Sequence, residues 1–130
     1  MPVNRPLYNQ LMRLRTQMAF AAQNIYNSWE QDEQGMDAEL GGGGICDEIS
    51  RAVGDVVVRN IRNADTTEGG QEGDDHSWLV VYNQQEAYGV DIPCHIYEKG
   101  GGYSWQKMQG VHFSPNDIAI WEVPHPEPGW

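Results

Sequence analysis

Three side chains of this 130-residue chain are of the types that carry out acyl transfer on a sulfur atom: Cys46 in "GGGGICDEIS", His76 at the head of "HSWLVVYN", and Asp91 in "YGVDIP". A thiol is a poor nucleophile and a thiolate a good one, so such chemistry needs something to lower a cysteine pKa of about 8.5. The unpaired N–H groups and positive dipole end of a helix do part of this, and an adjacent imidazolium does the rest. The imidazole in turn needs a third group to fix its tautomer and aim its other nitrogen, a task suited to a carboxylate. Two acids directly follow the cysteine, Asp47 and Glu48. Carboxylates in a first helical turn stabilise the helix but oppose a thiolate beside them. The scheme therefore requires them to face away from the sulfur, which the 100° step between successive helical residues allows.

The elements that must position these groups are legible in the hydrophobic period. Pro6 suits a first helical turn, and Leu7, Leu11, Leu14, Met18, Ala21, Ile25 and Trp29 recur at steps of three and four. That spacing predicts one long helix over residues 6 to about 31. The acidic and glycine-rich segment 31–44 reads as a loop. Cys46, Ile49, Val53, Val56 and Val57 restart a helical period running to about Arg62, which sets Cys46 at a helix start. The segment "NADTTEGGQEGDD", residues 63–75, has no hydrophobic side chain beyond Ala64 and reads as a solvated loop.

From His76 onward the pattern becomes that of strands. "HSWLVVYN" and "QQEAYGVDIP" form a hairpin, "CHIYEK" extends the second strand or begins a third, and "KGGGY" is a turn into "YSWQKMQ". "VHFSPNDIAIWEV" supplies a last strand before an extended, proline-punctuated tail. The expected fold is α+β, a single domain with two N-terminal helices packed on one face of an antiparallel sheet of three to five strands. Opposed side chains on neighbouring strands lie within hydrogen-bonding range. Direct opposition of His76 and Asp91 requires a turn centred near residues 83 and 84, where "YNQQEAYG" offers a polar candidate.

Together these residues carry a resemblance. Cysteine at a helix start after glycine in "GGICDEIS", "HSW" opening a strand, and aspartate in "YGVDIP" about fifteen residues later resemble the core of transglutaminase-like cysteine enzymes. The resemblance spans residues 44–93. It implies a papain-like architecture in which Cys46 attacks a carbonyl and forms a thioester, with His76 as base and then acid and Asp91 as its orienter. The substrate would be a peptide, glutamine-like or isopeptide bond, and no cofactor is implied. The backbone N–H of Cys46 would be one oxyanion donor. A second donor is expected upstream of the nucleophile, where Gln23, Asn24 and Asn27 are candidates.

Composition narrows the partners. Lys plus Arg total 8 against 19 Asp plus Glu, for a net charge of −11. This disfavours nucleic acid and anionic lipid and leaves a basic protein as a suitable partner. No membrane span or secretory leader is read in the sequence, and two cysteines are too few for a disulfide framework. A cytoplasmic protein with free thiols is expected. Cys94, His95 and Asp91 invite a zinc reading, but no CxxC or HxxxH pair accompanies them and no metal site is expected. Trp78, Tyr103 and Trp105 are core aromatics or the lining of a substrate groove.

Taken singly, Cys46 reads as a small buried hydrophobe, His76 as a surface or capping residue and Asp91 as a turn acid. Their joint order favours the enzyme. The competing function is a non-catalytic acidic module on the same fold that binds a basic protein or a small ligand. The glycine loops and charge also suit a phage or bacterial effector.

Overall fold

A computed structural model describes residues 5–30, 44–70, 77–99 and 106–126. The helical period of the N-terminal third produces α1 (Pro6–Arg13) and α2 (Arg15–Glu30), rather than one uninterrupted helix. At the junction Leu14 has φ −87° and ψ −1°, and its N–H is shared between the carbonyls of Gln10 and Leu11. Arg15 Nε donates to the Met12 carbonyl at 3.1 Å, giving a partner to an acceptor at the break. The ladder then resumes with Met18 N–H on the Leu14 carbonyl. Leu7, Leu11, Leu14, Met18, Ala22, Tyr26 and Trp29 keep one buried stripe across the break.

The second period forms α3 (Gly44–Asn60), which buries Ile45, Ile49, Val53, Val56 and Val57. α2 and α3 pack on each other, and α3 lies over the sheet. That sheet is four-stranded and antiparallel, in the order β1 (Asp65–Gly70), β2 (Ser77–Tyr82), β3 (Ala87–Asp91), β6 (Ala119–Glu122). The fold is therefore α+β, with the N-terminal helices against one face of the sheet. Leu79 and Val81 of β2, with Tyr88 and Val90 of β3, supply the sheet's side of the core.

Strand β1 corrects the expectation of a loop, for residues 65–70 pair along their whole length with β2. The strand has no apolar side chains of its own, so periodicity could not find it; the pairing is supplied by its neighbour. Its glycine is there for space, because a β-carbon on Gly69 would stand 2.3 Å from Nε1 of the paired Trp78. The segment after β3 also differs from expectation. Residues Cys94–Ile96 form a 3-10 turn rather than a strand, and β4 (Glu98–Lys99) then pairs with β5 (Gln106–Lys107) in a small separate sheet.

Side chains of α2 hold the chain that follows β5. Gln23 accepts from Phe113 N–H at 2.7 Å and donates to the Val111 carbonyl at 3.0 Å. The Tyr26 hydroxyl accepts from Val111 N–H at 3.2 Å and lies against the Met108 carbonyl and the Glu30 carboxylate. Glu30 also accepts from the N–H of Gly110. At the other end of the molecule, the Glu86 carboxylate receives the N–H groups of Leu7 and Tyr8.

Candidate functional site

Cys46 is the third residue of α3. The N–H groups of a helix's first turn have no acceptor within the helix, and the positive end of its dipole lies there. The cysteine side chain sits at this end and is buried, at 4% exposure. Glu48 is exposed, as the functional reading of the two acids requires, whereas Asp47 is half-buried. The core period fixes this orientation: burying Ile45, Ile49 and Val53 turns Glu48 to solvent.

Asp91 is the last residue of β3 and is 5% exposed. Among the described residues the buried carboxylates are Asp91 and Glu98. Removing a carboxylate from water costs several kcal/mol before pairing, of order 5, and neither of these two is without a partner.

A third buried polar side chain of this part of the chain is Tyr97. It follows the 3-10 turn, its N–H on the Cys94 carbonyl at 3.1 Å, and its side chain is fully buried. The ring packs edge-on against Trp29 and Phe113 at centroid distances of 6.1 and 6.0 Å. Its hydroxyl has no hydrogen-bond partner among the described residues. Burial is the main cause that pushes its pKa well above the ordinary tyrosine value, and the nearby carboxylates of Asp91 and Glu98 push it further in the same direction.

The β2–β3 register pairs Leu79 with Val90 and Tyr82 with Ala87. The hairpin turn is thus centred between Gln84 and Gln85, one residue later than direct opposition of positions 76 and 91 requires. Extended by one residue, the same register sets Asp91 opposite Trp78. The turn is closed by Asn83, whose side-chain oxygen accepts from the N–H groups of Gln85 and Glu86, both at 2.8 Å. His76 lies outside the described residues, as do Tyr103 and Trp105.

Trp78 is half-buried and packs edge-to-face with Trp121 at 5.7 Å. Strand alternation sets this pair on the side of the sheet away from Leu79 and the helices. The three upstream oxyanion candidates are otherwise engaged or turned outward. Gln23 commits its amide hydrogens to Asn27 and Val111, and Asn24 and Asn27 are exposed. Of the expected donors, the Cys46 backbone N–H is the one set at the sulfur by the helix itself.

Sequence reasoning missed Tyr97 and Glu98. "CHIYEK" reads as the extension of a strand or the start of another, whereas a 3-10 turn at Cys94–Ile96 redirects the chain and both residues are buried. An acid directly after "CHIY" in an apolar stretch was the available signal. Among the described residues, no three His, Cys, Asp or Glu side chains come together as a metal centre. Nor is any described helix long and apolar enough to cross a membrane. No family model, curated protein or solved structure matches the chain.

Proposed function

We propose that the protein is a cysteine-dependent amide-bond hydrolase or acyltransferase of transglutaminase-like, papain-like design. The reading is supported by one observation above all: Cys46 stands in the first turn of α3, and Asp91 at the end of β3 is a carboxylate taken out of water. In this reading His76 takes the thiol proton, and the sulfur attacks the carbonyl carbon. The resulting oxyanion is stabilised by the Cys46 N–H and by the helix dipole. Collapse of the tetrahedral species breaks the C–N bond, the leaving amine takes its proton from the imidazolium, and a thioester remains on Cys46. Water or an amine then attacks the thioester, giving its proton to His76, and the thiol is regenerated. Asp91 orients the imidazole and stabilises its cation.

The test is alkylation by iodoacetamide in a Cys94→Ser background, which leaves Cys46 as the only thiol. Stoichiometric labelling that persists well below pH 8 and is lost in His76→Ala supports the enzyme. A labelling profile set by an ordinary thiol pKa of about 8.5, unchanged by His76→Ala, rejects it. The burial of Cys46 favours that second outcome as the competing reading, in which the thiol is a core residue and the fold is an acidic binding module.

A further inference from the structure

A cleft of about 450 Å³ opens between α3 and the edge of the sheet. Its helix side is formed by Asp47, Arg51, Asp55 and Val58, and its sheet side by Thr66 to Glu68 of β1 with Leu79 behind. It begins at Asp47, next in sequence to Cys46, and follows the helix away from the thiol. Its volume is within the range of sites that hold a side chain and its flanking backbone.

Three observations bear on what it holds. First, β1 is an edge strand that pairs with β2 and, among the described residues, with nothing on its other side. Such an edge offers a row of N–H and C=O groups on which an extended chain can pair. Residues Asp65–Gly70 carry neither the proline nor the lysine that usually guards an edge. Second, the lining is electrically lopsided, with Asp47, Asp55 and Glu68 against the single guanidinium of Arg51. Asp55 and Glu68 are exposed and take part in no ion pair among the described residues. Third, Ser50 also lines the cleft, and its hydroxyl oxygen is buried without a hydrogen-bond partner among the described residues. The side chain has both donor and acceptor capacity to offer a ligand.

We propose that this cleft is a subsite for an extended basic peptide, which adds to the free edge of β1 and brings a lysine or arginine side chain beside Asp55 and Glu68. Charge complementarity selects the basic side chain, and the strand edge selects a peptide over a free amine. The proposal rests on the thioester reading only in taking the cleft as the path by which substrate reaches Cys46; binding itself needs no thiol.

The test uses the full chain carrying Cys46→Ala, with a fluorescein-labelled, N-acetylated VTKVTV hexapeptide as probe. Its partner probe has norleucine in place of lysine. The lysine peptide should bind at least about tenfold more tightly, as expected for a charge-assisted contact. Asp55→Asn combined with Glu68→Gln should remove that preference, and these exposed positions leave the core untouched. The amide signals of Thr66, Thr67 and Glu68 should shift on titration and gain protection from hydrogen exchange. Equal binding of the two peptides, or an unchanged preference in the double variant, overturns the proposal. Cadaverine binding as tightly as the lysine peptide, with no gain in amide protection, also overturns it. Peptide binding beside an unreactive Cys46 in the parent protein rejects the enzyme alone, whereas a reactive Cys46 without peptide binding rejects the subsite alone.

Discussion

Gly89 lies directly beneath the indole of Trp121: a β-carbon at Gly89 would stand 2.4 Å from two atoms of that ring. The ring meets Trp78 edge-on at 5.7 Å, so moving it disturbs that contact. Gly89→Ala should therefore destabilise the fold by about 1–3 kcal/mol, the usual cost of overpacking. Urea denaturation checks this, with the midpoint expected to fall and the slope to stay constant. A midpoint unchanged by the substitution would contradict the close approach.

Tyr97 and Tyr26 should respond in opposite ways to loss of their hydroxyls. The Tyr97 oxygen is buried without a partner among the described residues, whereas Tyr26 is held by Val111 N–H and Glu30. Tyr97→Phe should leave stability unchanged or raise it by up to about 1 kcal/mol, since a buried polar group without a hydrogen bond is a net cost. Tyr26→Phe should lower stability by about 1–2 kcal/mol, because it leaves the Val111 N–H unmatched. Parallel thermal melts decide the contrast; a clear loss in Tyr97→Phe would refute it.

The Glu86 carboxylate caps the first turn of α1 from the β2–β3 hairpin, accepting from Leu7 N–H at 3.1 Å and Tyr8 N–H at 3.3 Å. It also accepts from the Tyr88 hydroxyl at 2.7 Å. Glu86→Ala should cost about 1–2 kcal/mol, as for loss of an N-cap with charge complementing the dipole. Glu86→Gln should retain part of this, since one amide oxygen still accepts. Hydrogen exchange at Leu7 and Tyr8 should accelerate in the alanine variant, and unchanged exchange there would count against the cap.

Stability toward acid should depend on Glu30. The Gly110 N–H holds its pKa below the ordinary glutamate value, and the Tyr26 hydroxyl lowers it further. A depressed folded-state pKa gives stability that is present above the unfolded value, near about 4.3, and is lost as pH falls through the folded value. Glu30→Gln removes this titration. Its unfolding free energy should therefore fall less steeply below about pH 4.3 than that of the parent. Denaturation curves at pH 7, 4 and 3 test this, and parallel declines would refute it.

Asp91→Asn tests the proposed triad from its third member. With the orienting charge gone, Cys46 alkylation at pH 7 in the Cys94→Ser background should slow by at least about tenfold. Circular dichroism should confirm that the variant is folded. An unaltered rate in a folded variant would remove Asp91 from the chemistry.

The sequence made the helices and the β2–β3 hairpin legible because their apolar residues repeat at the spacing of the faces they bury. It did not reveal β1, because Asp65–Gly70 has polar side chains and glycines and owes its extended form to pairing with β2. Nor did it reveal the break at Leu14, which leaves the buried stripe in phase across it. The Cys46 position at the head of a helix was foreseeable from the glycine-to-apolar transition. The burial of Asp91 was not, because an acid before Ile92-Pro93 has the local signature of a turn. Tyr97 is buried after a 3-10 turn that no period announces.

The strand order β1-β2-β3-β6 also has a consequence for synthesis on the ribosome. A nascent chain complete only through residue 110 has α1 to α3 and the first three strands, but one side of β3 still lacks its neighbour. The Gln23 amide likewise waits for the Val111 carbonyl and Phe113 N–H. The sheet is therefore completed only when Ala119–Glu122 has emerged, and until then the flank of β3 is open to chaperones and to pairing with other chains.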